Sequence, residues 1–345
     1  MKKLYTYVLK QWPYYLFALA CMFIAIGLDM LYPLKFKPRI KERIWGGSAI
    51  LAKRKSACAR LPKDKLYGES WDLSSVKGDV SVAANGFLKG NNLEELIEVY
   101  MGDLVGEANF ERFGTLFPLL IKYLDCNDKL SVQVHPDDEL AEERHSSYGK
   151  TEAWYVADCK PGAAIYLGFK DLTITREEYI AAVAESRLEE LLNRVDVKPG
   201  DLFFIPAGTV HALGAGIEVV EVQQTSDITY RIYDWDRVDA EGKGRELHTA
   251  LAVDAINFEA DADLLYKPYE LQPGGEVTAI DSPYFTMAIM DVANSRYEDL
   301  SSFDSFVVYI ALSGNMKLRS DAGEETLAEG ELVLIPAEMP EIEIE

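Results

Sequence analysis

The chain has 345 residues, and its 35 Lys and Arg are outnumbered by 57 Asp and Glu, a net charge of −22. Such acidity excludes nucleic acid as the main partner, because phosphate backbones are bound by basic surfaces; a small anion held by a local basic cluster stays allowed. With 48% hydrophobic and 11% aromatic residues the chain has material for a packed core, which excludes disorder, and its length suggests two or three structural units.

Residues 1–29 are an apolar N-terminal extension. The run from Pro13 to Leu28 follows Lys2, Lys3 and Lys10, and residues 11–34 carry one charge, Asp29. One reading is an extra apolar helix acting as an anchor, although the run is shorter than the roughly 20 residues of a spanning helix. A second is a signal peptide, but no small-x-small cleavage site follows. In the third, the segment lies outside the folded domain, which begins near Met30. A membrane is a partner only if residues 11–34 anchor the chain. Cys21, Cys58, Cys126 and Cys159 include no C-x-x-C pair, which excludes a thiolate zinc site and a disulfide framework. They fit a reducing compartment, so a cytoplasmic location is expected.

Residues 30–85, rich in Lys, Gly and Pro, predict irregular structure and short strands. Residues 92–117 predict a helical stretch, with Leu93, Leu96, Ile97 and Tyr100 at helical spacing. A second is expected over residues 175–193, where Ile180, Val183, Leu188 and Leu191 alternate with Glu-rich polar positions. Short apolar runs at 163–167, 201–205, 218–222, 306–312 and 331–335, separated by Gly and Pro turns, predict strands. The class is therefore mainly β, in sandwich or barrel units, with the helices as insertions.

One internal repeat stands out. Gly200 opens the pattern Gly-acid-Leu-x-x-Ile-Pro-Ala, and Gly330 opens it again at an offset of 130 residues. The first copy runs on to His211 and the second to Glu341. Either a β-barrel unit is duplicated and only the first copy kept metal chemistry, or two unrelated strand–turn units coincide.

Chemistry is concentrated in three stretches. In Leu-Ser-Val-Gln-Val-His-Pro at 130–136, strand alternation puts Ser131, Gln133 and His135 on one face and Val132 and Val134 on the other. Glu152 opens an apolar strand after Gly149-Lys150-Thr151, and His211 follows the Pro206 turn. Gln133, His135, Glu152 and His211 form a nitrogen and oxygen donor set suited to zinc or a similar divalent metal with a position open to substrate. A single strand histidine more often serves packing; two of the four in this chain fall where strand ends and turns present ligands. In the third stretch Glu221 lies in an apolar strand and must meet a cation, a metal or a hydrogen-bond donor. Arg231 ends a Thr-Ser-Asp turn, placed either to reach a barrel mouth or to pair with Asp227 or Asp234.

These motifs resemble those of type I mannose-6-phosphate isomerases in their shorter bacterial form: Gln133-Val-His135-Pro-Asp-Asp, Gly-Lys150-Thr-Glu152-Ala-Trp, Pro-Ala-Gly-Thr-Val-His211-Ala-Leu and Gln-Thr-Ser-Asp-Ile-Thr-Tyr-Arg231. Trp45-Gly46-Gly47 and Gly68-Glu69-Ser70-Trp71 are similar to that family's N-terminal motifs. The resemblance implies two cupin (jelly-roll) units: a catalytic one with a helical insertion over residues 30–260, and a degenerate, metal-free one over residues 261–345. It implies interconversion of mannose 6-phosphate and fructose 6-phosphate, with one Zn(2+) per chain held by Gln133, His135, Glu152 and His211. The position of Arg231 is catalytic in the family, Lys122 and Ser131 match positions suggested to hold the phosphate, and Lys150 matches a pocket lysine. Gly149 stands where longer members have a histidine, so no proton-transfer role falls there. The chain stops soon after the second repeat, so a last strand is expected to be short or missing. The reaction moves a proton between C1 and C2 through an enediol, and Glu221, Lys150 and Asp227 are the candidates to carry it. Arg231 would stabilise the negative charge on the enediolate or the phosphate. The alternative is a non-catalytic sugar-phosphate-binding cupin, tethered by its N-terminal stretch.

Overall fold

The computed structural model describes residues 32–55, 57–238, 241–321 and 323–345. The apolar extension and most of the anchor expected at 11–34 lie outside them. Among the described residues no helix is long and apolar enough to cross a membrane. The fold is mainly β, as expected, and divides into two compact units.

One unit takes in residues 37–81 and 117–293 and is built on two sheets. Its strands are β1 (Arg39–Gly47), β2 (Tyr67–Leu73), β3 (Leu119–Cys126), β4 (Val132–Val134), β5 (Glu152–Cys159), β6 (Ala164–Phe169), β7 (Leu192–Asp196), β8 (Leu202–Ile205), β9 (His211–Leu213), β10 (Ile217–Gln224) and β11 (Tyr230–Tyr233). The six-stranded sheet has the order β1-β2-β3-β10-β5-β8 and the five-stranded sheet β11-β4-β9-β6-β7. Trp154, Phe203 and Ile205 from the first meet Ile165, Leu167 and Leu213 from the second in one buried cluster. The outer face of the five-stranded sheet presents Val132, Val134, Ala212, Tyr230 and Ile232, which pack with Tyr179, Leu188, Ala252 and Ile256. Alternation along each strand thus sends one set of side chains between the sheets and the other under the helices. Each fully buried large apolar side chain contributes about 1.5–3 kcal/mol. A separate hairpin, β12 (Glu276–Asp281) with β13 (Thr286–Met290), ends this unit.

Residues 32–36, 82–116 and 294–345 form the other unit. Its strands are β14 (Arg296–Asp299), β15 (Val307–Ile310), β16 (Asn315–Ser320), β17 (Gly323–Ala328), β18 (Leu332–Ile335) and β19 (Glu341–Ile344). They form the sheet β14-β19-β16-β17 and the pair β15-β18, and Leu34 bridges to Leu334. The last strand, expected to be short or missing, pairs on both sides, with β14 and with β16.

The two copies of the repeat adopt one backbone path. Gly200 and Gly330 both have positive φ, 91° and 81°, where a side chain would be strained. The acid that follows turns back: Asp201 accepts the Lys198 N–H at 2.9 Å and Glu331 that of Ala328 at 3.1 Å. Then come β8 and β18, the turns closed by Thr209 N–H to Pro206 and Met339 N–H to Pro336, and β9 and β19, starting at His211 and Glu341. The shared pattern is therefore one strand–turn–strand device, and only one copy ends on a ligand-type side chain with nitrogen donors.

Three expectations change. Residues 30–85 hold longer strands than expected, nine residues in β1 and seven in β2. The charged run Arg-Ile-Lys-Glu-Arg hid β1, because an edge strand needs few apolar residues. The stretch at 92–117 is two helices, Leu93–Val105 with an Asn92–Glu95 capping box, and Glu107–Phe113, parted at Gly106. These helices group with the C-terminal strands rather than with residues 117–260. The stretch at 175–193 is helical only over Arg176–Ala184, capped by Thr175; Ser186 turns left-handed (φ 56°), and a short 3₁₀ turn leads into β7.

Gly46 and Gly47 lie where β1 crosses to β3. A Cβ on Gly46 would fall within the backbone of Tyr67 and Gly68, which cannot rotate away. Gly46→Ala is expected to destabilise by about 2–3 kcal/mol, read as a lowered urea midpoint at unchanged slope.

Candidate metal centre and its charged surround

The donor set lies between the two sheets. In the five-stranded sheet Arg231, Gln133 and His211 are directly opposite one another across β11, β4 and β9, so their side chains share the inner face. Glu152 enters from β5 in the other sheet, and His135 follows the end of β4. Among the described residues, His135, Glu152 and His211 are the one buried group whose ligand atoms all lie within 4.8 Å of one another. Gln133 lies beside them, its amide N–H donating to His211 Nε2 at 3.2 Å.

Each histidine is oriented by its other nitrogen. Nδ1 of His211 lies 2.8 Å from the Thr209 carbonyl, and Nδ1 of His135 lies 2.9 Å from that of Ile228. A carbonyl only accepts, so both Nδ1 atoms carry the proton and both Nε2 atoms present lone pairs. Those lone pairs face Glu152, at 3.5 Å from His135 and 3.3 Å from His211. Glu152 is fully buried, and its ion partner is Lys150. Burial, with Glu221 adding to it, pushes its carboxyl up to about 7 against the pull of Lys150 and Lys122. Burial also lowers both imidazoles, His211 to about 4 and His135 well below its usual range, so both are neutral, the form that ligates metal. Acceptors converging on a dry point fit a divalent cation; Lys150 Nζ, 3.0 Å from Glu152 Oε2 and from His135 Nε2, is the nearest positive charge.

Beside this centre, on the same inner face, the six-stranded sheet carries a buried ion network. Trp71, Lys122, Glu221 and Trp154 stand opposite one another across β2, β3, β10 and β5. Lys122 Nζ donates to Glu221 at 2.8 Å and to Gln223 at 2.6 Å, and sits over the Trp71 ring. The Trp154 indole donates to the other Glu221 oxygen at 3.0 Å. Burial alone would raise the Glu221 carboxyl; Lys122 and Lys150 outweigh it and hold it at about 2. One strand further, Glu69 takes a two-pronged contact from Arg43 at 2.9 and 3.0 Å and the Trp71 indole at 2.7 Å. The partner required by Glu221 is thus a cation, Lys122.

The remaining expected residues are placed as follows. Ser131 is buried one alternation from Gln133, and Asp227 is exposed. Asp234 bonds Arg237 and Arg245 instead of Arg231, whose guanidinium donates to the Glu246 carbonyl at 2.8 Å. Sequence reasoning missed Gln223, Glu69, Arg43 and the Trp154 indole. Gln223 was within reach, two residues from Glu221 on the same strand face; the others needed the strand register.

Comparison with known proteins gives the family. A family model described as the phosphomannose isomerase type I catalytic domain matches residues 33–173. The mannose-6-phosphate isomerase ManA of Bacillus subtilis is 38% identical over 315 residues, covering 91% of this chain and 96% of the relative. The crystal structure of the mannose 6-phosphate isomerase from Bacillus subtilis superposes with a TM-score of 0.80 at 34% identity, covering 91% of this chain and 96% of that one. A mannose 6-phosphate isomerase structure bound with zinc and yttrium shares the fold at 18% identity, with a TM-score of 0.70 over 90% of this chain and 96% of that one. Sheets, donor set and relatives together define an aldose–ketose isomerase. The chain belongs to the type I mannose-6-phosphate isomerase family.

Removing Lys122 would strand Glu221. Lys122→Met is expected to destabilise by about 3–5 kcal/mol at pH 7 in thermal unfolding. Glu221 is held below its unfolded value, so the pair's stabilisation is present above the ordinary glutamate range and lost as pH falls toward 2. The gap between variant and parent should accordingly narrow in acid.

Proposed function

We propose that the chain interconverts mannose 6-phosphate and fructose 6-phosphate through an enediol, with one zinc ion held by Gln133, His135, Glu152 and His211. The observation that carries this is the buried convergence of His135, Glu152 and His211, whose ligand atoms all lie within 4.8 Å of one another. A zinc-bound relative of the same fold supports the choice of metal. Such an ion supplies fixed positive charge that polarises the sugar's C1 and C2 oxygens.

The chain's own groups do the rest. Asp227 is exposed, and Glu221 has one oxygen taken by Lys122 and the other by Trp154. Lys150, buried beside the donor set, is therefore assigned the proton shuttle, taking the proton from one of C1 and C2 as the neutral amine and returning it to the other from the ammonium so formed. Arg231, on the same inner face as Gln133 and with a buried Nε free of any hydrogen bond, is assigned to the charge that develops on the enediolate oxygen. Lys122 donates to Glu221 and Gln223 and so keeps Glu221 ionised; its third N–H and Ser131 keep their expected phosphate contact. The two units are read as cupin barrels, a catalytic one and a metal-free one, as the repeated strand–turn–strand suggests. Cys58, Cys126 and Cys159 are free thiols, which supports a cytoplasmic location.

A coupled assay for fructose 6-phosphate formed from mannose 6-phosphate tests the activity; a zinc-loaded chain without turnover would leave the binding-protein alternative. His211→Ala is expected to lose both metal and activity, and full zinc content in that variant would overturn the ligand set. Lys150→Met is expected to keep zinc and lose about 10²–10⁴-fold in kcat, the range of a general acid–base group.

A further inference from the structure

We infer that His248 is a positioning residue for Arg231, a role that rests on the reading of Arg231 given above. His248 is the residue before the helix Thr249–Ala255, a place that favours Ser, Thr, Asp or Asn, yet its side chain makes no cap to that helix. It turns back to β11 instead. Nδ1 of His248 accepts the Arg231 backbone N–H at 3.1 Å, and the His248 backbone N–H donates to the Arg231 carbonyl at 2.7 Å. Two residues earlier, the Glu246 carbonyl accepts from Arg231 Nη1 at 2.8 Å.

Three contacts from residues 246–248 therefore fix both ends of one arginine. On its other side Arg231 is registered against Gln133 of β4. β11 is only four residues long, and its pairing with β4 is interrupted between Arg231 and Tyr233. The ladder is thus weakest just after Arg231, and the His248 bonds supply the hold that the next ladder pair does not. The guanidinium keeps Nε buried and unbonded, a donor aimed by this clamp and left over for an oxyanion. His248 is not in the donor set, so it acts on turnover only through Arg231.

The test is a double-mutant cycle on the zinc-loaded full chain, reading kcat, KM and bound metal. His248→Ala is expected to lower kcat about tenfold with KM nearly unchanged and metal content full, since a misplaced donor loses transition-state contact first. In an Arg231→Ala background the same change should have no further effect. An equal loss in both backgrounds would make the role purely structural and overturn the inference, as would wild-type kcat in His248→Ala beside a depressed Arg231→Ala. Wild-type kcat in Arg231→Ala would overturn the reading of Arg231 together with this inference. If His248→Ala does not fold, His248→Asn, whose amide oxygen can accept the same N–H, decides: kcat near the parent supports the clamp, and a tenfold loss refutes it.

Discussion

The arrangement turns on one electrostatic fact: four acceptors converge in a buried place, with Lys150 against them. Two imidazole lone pairs and two carboxylate oxygens would repel without positive charge beside them; Lys150 lies 3.0 Å from Glu152 and from His135, and the acceptors it leaves over fit a further cation. Much of the surrounding structure holds them there. Carbonyls of Thr209 and Ile228 fix the ring tautomers, and both carbonyls sit in the turns that bracket β9 and β10. The turn at Pro206, shared with the second repeat, delivers His211 to the inner face opposite Gln133.

Charge is managed by alternation. Arg43, Glu69, Lys122 and Glu221 carry signs that alternate from half-buried β1 to the middle of the six-stranded sheet. Two indoles, Trp71 and Trp154, each donate to the carboxylate beside them. No member of this network is a buried ion without an opposite neighbour, which is the condition under which such ions are tolerated. The strongly negative total of the chain is thus no guide to its interior, where Lys122 and Lys150 are buried and both act on Glu152.

The donor set was legible because it depends on short-range rules: two-residue alternation in 131–135, a carboxylate opening an apolar strand at Glu152, a histidine after the Pro206 turn. The β strands of 163–167, 201–205 and 218–222 were legible for the same reason, each being an apolar run closed by turn residues. What could not be read depends on register. Nothing near Glu221 in sequence announces Lys122, 99 positions earlier, and nothing near Arg231 announces that Asp234 belongs to Arg237 and Arg245. The edge strand β1 was missed because a strand paired on one side can be built from charged residues.

The centre is also non-local in sequence. Gln133 and His211 are 78 residues apart and become neighbours only once β4 pairs with β9, and Glu152 comes from the opposite sheet. No stretch of the unfolded chain offers this set, so a metal ion that binds it recognises the finished sandwich alone. By mass action such an ion stabilises the native state and leaves the denatured ensemble untouched. Metal supply would then shift the folding equilibrium of the chain as well as fill its centre.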